Sequence, residues 1–582
     1  MTYAPFGATP HRAGTRFRVW APAAELAALV LDGHSADMHR QPGGVFEADV
    51  PGVGPGARYS VRLDGGAPFP DPASRFQPEG VYGPSEVIDP GAFAWTDGDW
   101  RGVDQKNLVF YELHVGTFTP EGSFDGVRQR LEYLRDLGVT AVELMPVADF
   151  PGGRNWGYDP AALWAPSRAY GRPDDLRQLV DEAHRLGLAV FLDVVYNHLG
   201  PDGAYAAAFM PVFTDKHATP WGQAVNLDDE GSAGVRAFFV ENALHWLREY
   251  HLDGLRLDAT HALVDDSDPH FLAELAEAVD GLDGPPRLLV AEDERNLDRL
   301  LLPRPAGYGL DAVWADDLHH QVRNVTAGDA AGYYADFAGT TATEIAETLR
   351  QGWFFDGKPK PTTGRPRGTS TQEIRPDQCV VCVQNHDQIG NRPLGNRLTD
   401  DVTPAEYRAA SALLLLAPEL PLLFMGQEWA ASTPFQFFTD HNDELGPLVS
   451  AGRAAEFADF AGFEGEVPDP QDEATFRRSR LDWDERGRPG HARVLALYRA
   501  LLALRRSLDG EAEAEALADN ALRLRRGSHV ALVAFGPADV PAPDGDVLLH
   551  TEQPEFAEAP EPPALQDGRV RFARAGAVVL RV

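Results

Sequence analysis

Gly254-Leu255-Arg256-Leu257-Asp258-Ala259 reads as a short buried strand with a cation and a carboxylate two residues apart. Side chains two apart on a strand share a face, so Arg256 and Asp258 point the same way. A guanidinium that close holds a carboxylate ionised and lowers its pKa. An ionised, positioned aspartate at a strand end is what a covalent glycosidase nucleophile requires. A structural Arg–Asp pair that only satisfies two buried charges has the same sequence, so the surroundings decide.

Outward from this strand, apolar runs alternate with amphipathic helical stretches from Leu108 onward, the rhythm of βα units around a parallel sheet. Strands are predicted at Leu108–Leu113, Ala141–Met145, Leu188–Val195, Gly254–Asp258, Arg287–Ala291, Ala312–Trp314, Cys379–Gln384 and Leu420–Phe424. The clearest helices are Phe124–Leu137, Pro173–Leu186 and Val235–Tyr250. Eight such strands over roughly 400 residues predict an α/β fold, a (β/α)8 TIM barrel. Its assigned span is 96–509, with insertions at about 198–233 and 352–377. The second insertion carries Lys358, Lys360, Arg365 and Arg367 and reads as a solvated or lid-like loop.

Residues 1–95 alternate short β-rich runs, such as Arg16–Trp20, Leu29–Leu31 and Arg58–Leu63, with Gly and Pro clusters. That spacing predicts an N-terminal immunoglobulin-like β-sandwich. After the helix His491–Arg505, the runs Ala521–Arg525, Val530–Phe535 and Ala577–Val582 predict a C-terminal β-sandwich over 510–582.

A chain of 582 residues is too long for one hydrophobic core. Its net charge of -36 argues against nucleic acid or an anionic membrane as partner. The N-terminal stretch has no apolar signal region, and the greasiest run, Ala412–Met425, is broken by Pro418, Glu419 and Pro421. A cytoplasmic monomer is therefore expected. The two cysteines, Cys379 and Cys382, rule out a disulfide framework. Three apart on a strand, they face opposite ways and read as small core residues.

Polar residues at the C-terminal ends of barrel strands form the active site in this architecture. Strand three runs into Asp193-Val194-Val195-Tyr196-Asn197-His198 and strand four into Arg256 and Asp258. Strand five ends Ala291-Glu292-Asp293, and strand seven ends Asn385-His386-Asp387. Four apolar strands each meeting a carboxylate or histidine at the same end is a phased pattern, not surface decoration. Glu292 follows an apolar run, where desolvation raises its pKa toward that of a general acid. Asp293 points to the other side and takes a structural or outer role. Asp387 adds a third negative charge, and His198 and His386 read as neutral donors to sugar hydroxyls.

These four segments, in this order, resemble the signature regions of the α-amylase superfamily of glycoside hydrolases. That family is retaining, which implies Asp258 as nucleophile, Glu292 as acid/base and Asp387 as transition-state stabiliser. The resemblance also implies that Arg256, His198 and His386 bind the sugar at the cleaved position, above Tyr158 in Trp156-Gly157-Tyr158-Asp159. Val19-Trp20-Ala21-Pro22 resembles the leading module of branching and debranching members. Longer stretches, Tyr111–Phe118, Gln384–Asn391 and Met425–His441, are similar to maltooligosyltrehalose trehalohydrolases. That likeness implies cleavage of the α-1,4 bond next to a terminal trehalose in maltooligosyltrehalose and related α-glucans, with no obligatory cofactor and no metal. Asn197 sits where many amylases ligate calcium, but no dense oxygen-ligand loop accompanies it. The expected substrate-binding set is Trp156, Tyr158, Asp193, His198, Arg256, His261, Glu294, Arg295, His320, Gln321, His386, Gln388 and Asn391. Trp353, Phe354 and Phe355 are sugar-stacking candidates or loop packing. The rivals are a glucan branching enzyme, an isoamylase-type debranching hydrolase and a catalytically dead glucan-binding protein.

Overall fold

In the computed structural model, residues 6–31, 33–457 and 465–582 are described. Residues 1–5 and 32 of the expected N-terminal domain, and 458–464 of the expected barrel span, lie outside them. All eight expected barrel strands form: Phe110–Leu113, Ala141–Leu144, Ala189–Val194, Gly254–Leu257, Leu288–Glu292, Ala312–Trp314, Cys379–Cys382 and Leu420–Phe424. They pair in parallel in chain order, and the eighth closes on the first.

Inward and outward side chains alternate along these strands and so feed two separate cores. Phe110, Ala141, Phe191, Val290, Ala312, Val380 and Leu422 fill the barrel, while a larger cluster packs outside it, beneath the helices. Cys379 falls in the outer cluster and Cys382 in the inner one, so the two thiols do face opposite ways. Gly254 is required by packing: a Cβ there would meet the Phe191 ring at 2.3 Å.

The N-terminal strands follow the order first, second, fifth, fourth, third, sixth, seventh, with an eighth also on the sixth. The fourth, His34–Arg40, pairs with the third through His34–Met38 and with the fifth through His39 and Arg40, joining two layers. This domain docks on the long barrel helix Ser232–Glu249. There Arg75 grips Glu249 through Nε and Nη2, and Trp20 lies on the helix where Gly234 leaves room. The C-terminal domain is a five-stranded sheet facing a three-stranded one across a small core that includes Leu532, Val570 and Phe572.

Two expectations need correction, and the first insertion holds an element the sequence reading did not give. The helix expected over Phe124–Leu137 is two short helices, Phe124–Arg128 and Leu131–Leu137. The backbone tightens between them, where Arg130 N–H bonds the Val127 carbonyl only three residues back. The first insertion contains an antiparallel hairpin, Phe213–Thr219 with Gly222–Val225, that its polar sequence does not announce. The 352–377 insertion is tied down rather than merely solvated. Trp353 and Phe355 are fully buried, and the buried Asp317 carboxylate accepts the Phe354 and Phe355 N–H groups and Asn296 Nδ2 and forms an ion pair with Arg367. Lys358 pairs with Glu347, and Lys360 with Asp336. The aromatic triplet is therefore mainly packing.

Candidate active site

Along the inward face of five strands, apolar residues at the bottom give way to charged ones at the C-terminal rim. Phe110 precedes Glu112, Ala141 precedes Glu143, and Phe191 precedes Asp193; Gly254 leads to Arg256 and Asp258, and Val290 to Glu292. The period of two puts each pair on one face, so the barrel delivers every charge to the same end.

Arg256 is the centre of this charge cluster. Its Nη1 donates to Asp193 Oδ2 and to Asp258 Oδ1, each at 2.7 Å, and its Nη2 lies 3.7 Å from Glu292. The Trp314 ring covers the guanidinium at 4.3 Å. One buried cation thus brings the strand-four and strand-five carboxylates together. The next residue, Ala259, adopts a left-handed backbone with φ of 41°, which aims its N–H at Glu292 Oε2, 2.7 Å away. Such a conformation costs a non-glycine residue about 1–2 kcal/mol; the Glu292 carboxyl is held by it.

Asp258, Glu292 and Asp387 all line one groove of about 780 Å³ at this end of the barrel. Burial pushes Glu292 up to about 8, Arg256 pulls the other way, and the nearby Asp258, Asp387 and Asp316 add to the rise. Burial also raises Asp387, but the charge and hydrogen bond of His386, with Arg256 and Asn391, hold it at about 2. Two carboxyl groups of one groove are thus driven apart in proton affinity, as acid–base chemistry requires.

Among the expected binding residues, Trp156, Tyr158, His198, His261 and Asn391 line the groove. Tyr158 lies parallel to the His386 ring and donates its hydroxyl proton to Asp193 at 2.7 Å. Asn391 donates to Asp387. The other expected residues are not part of that lining. Arg256 and Asp193 are buried beneath the groove, where they order carboxylates instead of meeting solvent. Gln321 is fully buried, and His320 is packed against Phe337 and Tyr334. Arg295 grips Asp293, whose carboxylate also accepts Thr260, so Asp293 is structural. Glu294 is exposed and offers Arg367 only its backbone carbonyl, and Gln388 is half-buried in a short helix. His386 stands between two carboxylates, Glu112 and Asp387. Burial opposes its charge, but the flanking Asp387 and Glu112 carboxylates raise its pKa well above the ordinary value.

Several groove residues escape sequence reasoning, Trp221, Phe437 and Arg453 among them. Trp221, 49% exposed at the hairpin tip, stacks on the His198 ring with centroids 5.2 Å apart. Phe437 and Arg453 line the groove from beyond strand eight. Glu112 was legible: a lone acid inside the apolar run Leu108–Leu113. Asn197 is buried, with neither side-chain atom hydrogen-bonded among the described residues. Three ligand-type groups do meet at His217, Asp228 and Asp266, where Lys216 Nζ, 2.8 Å from Asp228, already supplies the countercharge.

A closed parallel barrel with Asp258, Glu292 and Asp387 on one groove at its C-terminal rim, Glu292 and Asp387 driven apart in proton affinity, is the arrangement of a glycoside hydrolase of the α-amylase class. The family described as alpha amylase, catalytic domain, matches residues 87–215, and carbohydrate-binding module 48 (isoamylase N-terminal domain) matches residues 5–90. The malto-oligosyltrehalose trehalohydrolase of Deinococcus radiodurans is 52% identical over 86% of this chain and 82% of its own. That of Arthrobacter ramosus is 45% identical over 92% of this chain and 96% of its own. A Salmonella typhimurium crystal structure named for the alpha amylases superposes with a TM-score of 0.90 at 38% identity, covering 99% of this chain and 100% of that one. The chain belongs to the malto-oligosyltrehalose trehalohydrolase family. Among the described residues, no helix is long and apolar enough to cross a membrane.

Proposed function

We propose that this protein hydrolyses the α-1,4-glucosidic bond next to the terminal trehalose of maltooligosyltrehalose, with retention, releasing trehalose and a shorter maltooligosaccharide. Asp258 attacks the anomeric carbon while Glu292, protonated in the resting groove, gives its proton to the departing glycosidic oxygen. The Glu292 carboxylate then takes a proton from water, which attacks the glycosyl ester and frees Asp258. Asp387, held anionic, faces the positive charge that develops on the sugar ring. Trp156, Tyr158, His198, His261 and Asn391 contact the sugars, and the exposed Trp221 ring offers a stacking face. The enzyme acts in the cytoplasm as a monomer.

The observation that carries the chemistry is the single groove on which Asp258 and a raised Glu292 share the neighbourhood of Arg256. The family carries the trehalose end of the substrate. Chromatography of products from maltooligosyltrehalose, amylose and a branched dextrin tests it. Free trehalose from the first substrate is expected. New branches, debranched chains or no turnover point to the branching enzyme, the isoamylase-type hydrolase or the inactive binder in turn.

A further inference from the structure

We propose that Glu112 is a positioning residue that keeps His386 in its imidazolium form and so fixes Asp387 against the sugar being cleaved. The role of Asp387 is taken from the mechanism above; the Glu112–His386 pairing is read from geometry alone.

Glu112 lies on the first barrel strand, 1% exposed. It clamps His386 twice: one carboxylate oxygen meets ring Nδ1, and the other accepts the His386 backbone N–H at 3.0 Å. On the far side of the ring, Nε2 is 2.8 Å from the Tyr158 hydroxyl oxygen and 3.3 Å from Asp387 Oδ1. The Tyr158 hydroxyl proton is committed to Asp193, so towards His386 that oxygen accepts. Both ring nitrogens therefore face acceptors, and an imidazole can donate from both only as a cation. Also near the ring are His114 at the end of strand one, Glu143 on strand two, Asp193 on strand three and the Trp314 ring on strand six, while Arg256, Glu292 and Asp316 act on its neighbour Asp387. Glu143 is buried with neither oxygen hydrogen-bonded among the described residues, and its burial beside Glu112 and Asp193 raises its pKa well above the usual range. That leaves Glu112 as the acid that bonds the Nδ1 side of the ring.

With Glu112→Gln the amide keeps the shape and loses the charge. His386 then loses a proton as pH rises, and Asp387 loses the cation beside it. The expected result is a fall in kcat near pH 7.5 smaller than the roughly 100–1,000-fold lost when a direct transition-state contact is removed, with KM little changed. The fall shrinks toward pH 5, where the ring is reprotonated, and Glu112→Asp restores part of the loss. A pH profile parallel to the wild type, with a uniform loss, overturns the proposal.

Should Glu112→Gln fail to fold, the unmodified protein still decides. With 15N-labelled histidine, and His386→Asn to assign the signal, both His386 ring nitrogens are expected to be protonated at pH 8. A singly protonated ring there overturns the proposal. Full activity in Asp387→Asn brings down the assigned role of Asp387 and, with it, the functional half of the proposal; the state of the His386 ring is read independently.

Discussion

At the scale of single residues, environment assigns the chemistry. Glu292 and Asp387 are both acids on one groove, but Glu292 is buried among negative groups and Asp387 sits beside a cationic imidazole. Glu292 must be protonated to act as the acid, and it loses that proton as pH rises through about 8. The alkaline limb of kcat/KM for maltooligosyltrehalose is therefore expected near pH 8. Glu292→Gln is expected to abolish turnover while sparing binding in calorimetry; near-normal turnover would remove the acid/base role. Trp221→Ala, which removes an exposed ring, is expected to raise KM several-fold with kcat nearly kept, and an unchanged KM would exclude it from the substrate path.

At the scale of elements, the barrel strands were legible as apolar runs of three to six residues, four of which meet a polar rim. The carboxylates could be placed because period two puts Arg256 and Asp258 on one face. The hairpin at 213–225 and the helix break near Gln129 were not legible, because local polar sequence is compatible with either loop or strand. The 352–377 insertion misled in the same way: its charges suggested a free loop, whereas Asp317 holds it through the Phe354 and Phe355 N–H groups and an ion pair with Arg367. Asp317→Ala leaves those donors buried without a partner. A loss of about 3 kcal/mol in urea unfolding is expected; a loss below about 1 kcal/mol would show that Trp353 and Phe355 hold the insertion alone.

At the scale of the whole molecule, stability and pH are linked through many buried acids. Burial raises Glu419 and Glu292 to about 8, Glu428 and Asp316 to about 7, and Asp71 and Asp149 to about 6. An acid whose pKa is raised on folding favours the folded state at low pH and withdraws that support as pH rises through the folded value. The net charge of -36 acts in the same direction, since self-repulsion grows as carboxyls ionise. Groups lowered on folding, such as Asp228 and Asp387 at about 2, oppose this only as pH falls below the ordinary carboxylate range. Calorimetry is thus expected to give a higher Tm at pH 6 than at pH 9. A Tm that rises across that interval would mean the buried acids are already ionised in the folded protein.

The chain alone determined the eight-stranded barrel, its flanking β domains and the carboxylates at the strand ends, because strand periodicity and burial are written locally in residue order. Tertiary structure alone decided which of those groups meet. That Glu112 clamps His386 depends on closing strand eight onto strand one, that Arg256 meets Asp193 and nears Glu292 depends on the pairing of strands three, four and five, and that Trp221 reaches His198 depends on how the hairpin after strand three folds back. The register of distant segments, not any local pattern, sets those distances.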